Sequence, residues 1–353
     1  MKKQIKPFAI LIFIILAATT IKAQKINIEA ALKYWELTDS LRQNKPISDE
    51  PWKNFINLEG NKAYAYSEFD SISLSNYRKA LEIVYMPKSE ALMQRYIKAN
   101  YWYTILIKRY KDQEDSLKTY LSETVQKPAY KDLMYKYVYE YLPKRYRTKS
   151  DVTFYYNALG MDAVSQSDGI FISLMTAVNS AKIKTGILEA HELHHRLRKL
   201  LNMKDARNMD EGILYALISI QNEGMADMID KKVTYSVPGD PEGVREWLLD
   251  PAPAAIKSLD SAVTLTATDS SGSQSSKFYR KVLKYSAGHM PGFYMARIIE
   301  RNGYKKQMIE QCDNPFSFII FYNKAAQKDK EHPPVLSDVT MAYLKNLEQY
   351  YLH

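Results

Sequence analysis

The stretch ILEAHELHHRLRKL, residues 187–200, packs three of the chain's six histidines into five positions. His191, Glu192, Leu193, His194 and His195 spell H-E-x-x-H. Residues four apart on an α-helix lie one turn on along the same face, so the imidazoles of His191 and His195 can reach one ion. Glu192 sits next round the helix, where its carboxylate can face a water in an open coordination position without ligating the metal. A zinc peptidase needs this arrangement of two ligands and a base. Pairing His191 with His194 is a second geometric option, but it leaves Glu192 without that relation to the water. His194 is therefore read as structural or as a support to the ligands.

A catalytic zinc takes three protein ligands and leaves a fourth position for water or substrate. The stretch QNEGMAD, residues 221–227, offers the third. Glu223 and Asp227 are four apart and share a helix face. Glu223 as ligand and Asp227 as hydrogen-bond partner of a histidine complete a site for one Zn2+ per chain. Hydrolysis also develops an oxyanion that a hydrogen-bond donor can stabilise. In YSAGHMPGFYMARIIE, residues 285–300, Gly288, Pro291 and Gly292 form a turn that presents His289, and Tyr294 begins a helix. His289 and Tyr294 are the candidate donors.

The elements that position these residues are mostly helical. Residues 26–146 are amphipathic and tyrosine-rich, with apolar positions three and four apart, and Pro46, Pro51, Pro87, Pro128 and Pro143 break the pattern. The tyrosines read as packing residues with their hydroxyls at the rim. Near Asp151 the character changes. DVTFYYNALG and DGIFISLMTAV are short β-branched or aromatic runs bounded by Gly160 and a Ser-Gln-Ser-Asp-Gly turn, and they are the expected strands. Helices are expected over 184–201 and 210–232, then a flexible connection at TATDSSGSQSSK, then further helices, the last capped by Ser337. The expected fold is mainly α with a small antiparallel sheet.

Composition narrows the setting. A basic start, an apolar run from Phe8 to Ala18 and a small residue at Ala23 describe a secretory leader over residues 1–23. That run is shorter than the roughly 20 apolar residues needed to span a bilayer. Cleavage near Ala23 is expected, with an uncleaved anchor as the alternative. No cysteine stands near that point to accept a lipid. The formal charge of +9 falls by four once Lys2, Lys3, Lys6 and Lys22 leave, and the remaining surplus is dispersed, which disfavours a nucleic-acid partner. With Cys312 as the one cysteine, stability must come from a core rather than from internal disulfides. Residues 24–150 form an N-terminal helical region and 151–353 the region carrying the chemistry, as one large unit or two closely packed ones.

H-E-x-x-H followed on a later helix by N-E-x-x-x-D, here Asn222 to Asp227, resembles the gluzincins, the thermolysin-like zinc peptidases. Within that family the chain is most similar to exported bacterial zinc-dependent peptidases, and the likeness covers about 151–232. It implies a zincin-like core wrapped by helices, with Glu223 as third ligand and Asp227 bonded to the first histidine. It also implies a distant histidine or tyrosine at the oxyanion, and DGIFISL in the place of a substrate-binding edge strand. A peptide would then lie along Gly169–Leu174, and the protein would be periplasmic or secreted with no stable membrane insertion after cleavage. A zinc hydrolase of a non-peptide amide or ester, or a non-catalytic helical binding module with a relic site, are the alternatives. The intact Glu192 speaks against the relic.

Overall fold

The structure, a computed structural model, describes residues 24–268 and 274–352. The expected leader, and residues 269–273 in the middle of the expected flexible connection, lie outside those residues. Four strands form one sheet: β1 (Lys25–Asn27), β2 (Thr153–Asn157), β3 (Ala163–Gln166) and β4 (Gly169–Ser173), in the order β1-β2-β4-β3. β1 and β4 both pair parallel to β2, and β3 pairs antiparallel to β4. The fold is thus mainly helical with a small sheet, as expected, but the sheet is mixed rather than antiparallel. The reason is connectivity: β1 reaches β2 only after the whole N-terminal helical region, whereas a tight turn at Ser167–Asp168 joins β3 to β4.

Two strand expectations change. β4 ends at Ser173, and LMTAV begins a helix, Leu174–Ile183. A short apolar run does not by its periodicity tell a buried strand from a buried helix. β3, which the sequence reading placed between strands, is half-buried and forms the outer edge of the sheet.

The N-terminal helices and the later region share one hydrophobic core. The tyrosines pack, but deeper than a rim: Tyr34, Tyr77, Tyr110 and Tyr156 are fully buried. Their hydroxyls find partners inside, as a buried phenol requires. Tyr110 bonds Ser173 Oγ at 2.7 Å, Tyr34 bonds Tyr85 at 3.2 Å, and Tyr77 donates to the Ala158 carbonyl. Asn314 caps the helix Pro315–Ala326, accepting from the amides of Phe316 and Ser317, with Pro315 in the first turn where its missing N–H costs nothing. Ser337 Oγ accepts from the Thr340 amide at the start of the last helix, Asp338–Leu352. Among the described residues no helix is long and apolar enough to cross a membrane.

Three helices carry the candidate chemistry. The motif helix, Ile187–Leu197, starts after Gly186, whose positive φ of 78° reverses the chain after the preceding helix. The carboxylate helix, Glu211–Asp227, is apolar over most of its surface and lies in the interior. The third runs His289–Arg301 and packs along the carboxylate helix. Glycines set that approach. A Cβ on Gly224 would stand 2.5 Å from the backbone of Gly292, and one on Gly292 would stand 2.3 Å from the Ile220 carbonyl oxygen. No real side chain fits there, so the helix backbones touch.

Candidate active site

That close contact brings His289 to the carboxylate helix, while the motif helix brings His191 and His195 to the same place. Three imidazole nitrogens converge on one oxygen, Oε2 of Glu223. The Nε2 atoms of His191, His195 and His289 lie 3.6, 3.4 and 3.4 Å from it. Two ligands held about 2.0–2.1 Å from a tetrahedral zinc stand roughly 3.4 Å apart, so nitrogen and oxygen donors at these separations fit that ion. Glu192, itself buried, falls with His191 and His195 into one compact group of possible ligand atoms.

The Nδ1 atoms face a second tier of carboxylates. His191 Nδ1 is 2.9 Å from Asp230 Oδ1 and 3.8 Å from Asp227 Oδ1. His289 Nδ1 lies 3.0 Å from both oxygens of Asp227. The histidine that Asp227 hydrogen-bonds is therefore His289, and Asp230 serves His191. A carboxylate on Nδ1 places the proton there and leaves Nε2 with its lone pair facing inward, the usual dressing of a metal-bound imidazole. Sequence spacing contained a hint of Asp230, because Glu223, Asp227 and Asp230 follow an i, i+4, i+7 series. The helix breaks at Asp227, however, and Asp230 arrives through the turn that follows.

Charge coupling is strong. Burial works against a charged His191, yet Asp230 and Glu223 outweigh it and hold its pKa well above the ordinary histidine value. Burial likewise opposes charge on His289, and Asp227 and Glu223 still raise it to about 9. Burial would push Glu223 up, but His195 and His289 pull it well below the usual carboxylate range. Glu192 differs: burial dominates, so its pKa is raised despite the neighbouring histidines. A raised carboxyl pKa suits a group that takes up a proton and passes it on.

The groups open onto a cleft of about 610 Å³. Its lining includes Asp162–Ser165 at the start of β3, His191, Glu192, His195, Glu223, Trp247, Tyr285 and His289, and it runs entirely within residues 162–289. No described residue of the N-terminal region lines it. Trp247 and Tyr285 are exposed by 40 % and 72 %, large aromatic walls that the sequence reading did not single out. Lys284, Tyr285 and Ala287 take left-handed φ values of 54°, 57° and 51°, so a backbone conformation unusual for these residues presents Tyr285. A larger cavity of about 790 Å³ beside β1 holds no comparable set of groups.

Two expectations are corrected here. Tyr294 does not line the cleft. It faces a separate cavity with Tyr235, Arg245 and Arg297, because five residues along a helix turn it about 140° away from His289. The strand beside the cleft is β3, not β4: β4 lies between β2 and β3 with all five residues buried, so an incoming peptide finds no free backbone there. His194 is wholly buried and outside the cleft lining, and burial holds its pKa well below the ordinary value, keeping it neutral. No curated protein and no solved structure matches the chain. With this geometry in view, the sequence match over residues 52–331 carries a chemical meaning: the chain belongs to the family described as "Putative zinc dependent peptidase (DUF5700)".

Proposed function

We propose that the protein is a single-zinc peptidase of gluzincin type, in which His191, His195 and Glu223 hold the ion. The convergence of imidazole nitrogens on Glu223 Oε2 at zinc-like separations, with Glu192 beside them in an open cleft, carries this reading. When bound, zinc supplies Lewis acidity and brings a water's pKa down to about 7. Glu192 accepts the proton of the attacking water and delivers it to the leaving amine. His289, held by Asp227, donates a hydrogen bond to the developing oxyanion. The substrate peptide lies along the exposed edge of β3 and extends the sheet through backbone hydrogen bonds. Trp247 and Tyr285 wall the cleft on its exposed side.

One observation favours a second reading. His289 stands as close to Glu223 Oε2 as His195 does, so three histidines and one glutamate could close the metal site. Metal analysis separates the two. In the proposed enzyme, His289→Ala keeps about one zinc per chain and loses hydrolysis, whereas in the closed site it loses the metal. A peptide-library digest by wild type and Glu192→Gln tests the activity itself. Cleavage by the wild type alone, with equal zinc in both, is expected; equal cleavage by both would sink the role of Glu192. The protein is read as exported, with a peptide or protein substrate.

A further inference from the structure

Arg198 directly follows the motif helix and is almost wholly buried, 8 % exposed. Its guanidinium donates three hydrogen bonds, and all three acceptors are neutral. Nε bonds the Cys312 carbonyl at 2.7 Å, Nη2 bonds Gln221 Oε1 at 2.6 Å, and Nη1 bonds Asn222 Oδ1 at 2.9 Å. Asp313, beside Cys312, is engaged by Arg145 and Tyr146 instead. A buried cation without a direct carboxylate partner is costly, which directs attention to where its charge is answered. The route runs through Asn222, whose Nδ2 donates to Glu223 Oε1 at 3.0 Å.

A guanidinium has donors and no acceptor, so the Asn222 amide has one workable orientation. Its oxygen must face Arg198 and its NH2 must face Glu223. The amide thus engages Oε1 and leaves Oε2 as the oxygen that meets the three imidazoles. We propose that Arg198 and Asn222 are positioning residues for the metal site, holding Glu223 so that it presents one oxygen to the ion. This rests on the reading of Glu223 as a ligand. A carboxylate free to bind through both oxygens would compete for the position that water needs. The guanidinium at the far end polarises the amide and strengthens its grip on Oε1.

A purely structural network would also explain a buried arginine, and Gln221 separates the two accounts. Gln221 bonds Arg198 and the carbonyls of Gln311 and Asn314, and among the described residues no hydrogen bond joins it to the Glu223 carboxylate, so it belongs to the structural branch alone. The test uses the full chain and measures zinc affinity by chelator competition, the visible spectrum of the Co2+-substituted protein, and metal-free thermal unfolding. Asn222→Ala is expected to weaken zinc binding about 10- to 100-fold and to change the Co2+ spectrum. Asn222→Asp should be at least as severe, because it replaces the donor with a second carboxylate. Gln221→Ala should lower the unfolding temperature while leaving zinc affinity within about twofold of wild type. If Asn222→Ala does not fold, Asn222→Gln, which displaces the amide by one methylene, is expected to show the same loss. Zinc affinity and Co2+ spectrum unchanged in the Asn222 variants, or a loss in Gln221→Ala as large as theirs, would overturn the proposal. Wild-type protein that binds no zinc would overturn the ligand reading beneath it, a result visible before any variant is made.

Discussion

Glu192→Gln removes a proton acceptor while leaving the imidazoles and Glu223 untouched. Its expected effect is a loss of hydrolysis of at least about 100-fold with zinc content unchanged, read by metal analysis and peptide turnover. The metal-free protein should also show a pH signature from His289. Its folded-state pKa of about 9 lies above the roughly 6.5 of an unfolded histidine, so its charged form favours the folded state. That stability is fully present below about pH 6.5 and is lost as pH rises through about 9. Unfolding temperatures of the metal-free wild type should fall across that window, and His289→Ala should flatten the fall. An identical slope in both proteins would show that the Asp227–His289 pair does not drive it. At this scale much was legible: H-E-x-x-H depends only on helical periodicity, and Glu223–Asp227 repeats the same spacing. Asp230 was only hinted at and Arg198 was not legible, because each reaches the site past a helix end where periodicity stops, and Trp247 was not legible because it comes from a separate short helical turn, Arg245–Leu249.

Helix contacts turn those residues into a site. Gly224 and Gly292 let the carboxylate helix and the His289–Arg301 helix touch, and Gly288 approaches Ser219 just as closely. Gly224→Ala or Gly292→Ala should force the helices apart, at a cost of about 1–3 kcal/mol in stability. Because His289 rides on one helix and Glu223 on the other, zinc affinity or activity should fall with it. Thermal unfolding and chelator competition on the same samples check this. The motif helix is anchored on its other face by Glu189, which accepts hydrogen bonds from Tyr130 at 2.6 Å and Tyr156 at 3.0 Å. Tyr130 belongs to the N-terminal region and Tyr156 to β2. Burial raises the pKa of Glu189, and the two phenols oppose that rise. Nothing local in the sequence shows which distant tyrosines will meet Glu189.

For the whole molecule, β1 is the telling element. Three residues at Lys25–Asn27 pair with β2 more than a hundred residues later, and the N-terminal helices share the core of the later region. Removing residues 24–150 should therefore expose apolar surface and leave Glu189 without Tyr130, rather than release a more active enzyme. Expression of 151–353 alone is expected to give an aggregated or unfolded product with no far-UV signature of a native helical domain; a soluble, zinc-binding fragment would contradict this. Zinc itself should stabilise the intact chain, by about 2.7 kcal/mol at a free concentration 100 times the dissociation constant. Adding a chelator should reverse the resulting rise in unfolding temperature.

Sequence by itself determined the helical class and the packing role of the tyrosines, and it singled out His191, Glu192, His195 and Glu223 as the candidate set, because each follows from spacing along a single element. Tertiary structure alone decided which strand is the free edge, that Tyr294 faces away from the cleft, and that Asp227 serves His289 while Asp230 serves His191. Those outcomes depend on how separate elements approach one another, and the approach is set by strand order and by glycine contacts between helices, which no local pattern encodes.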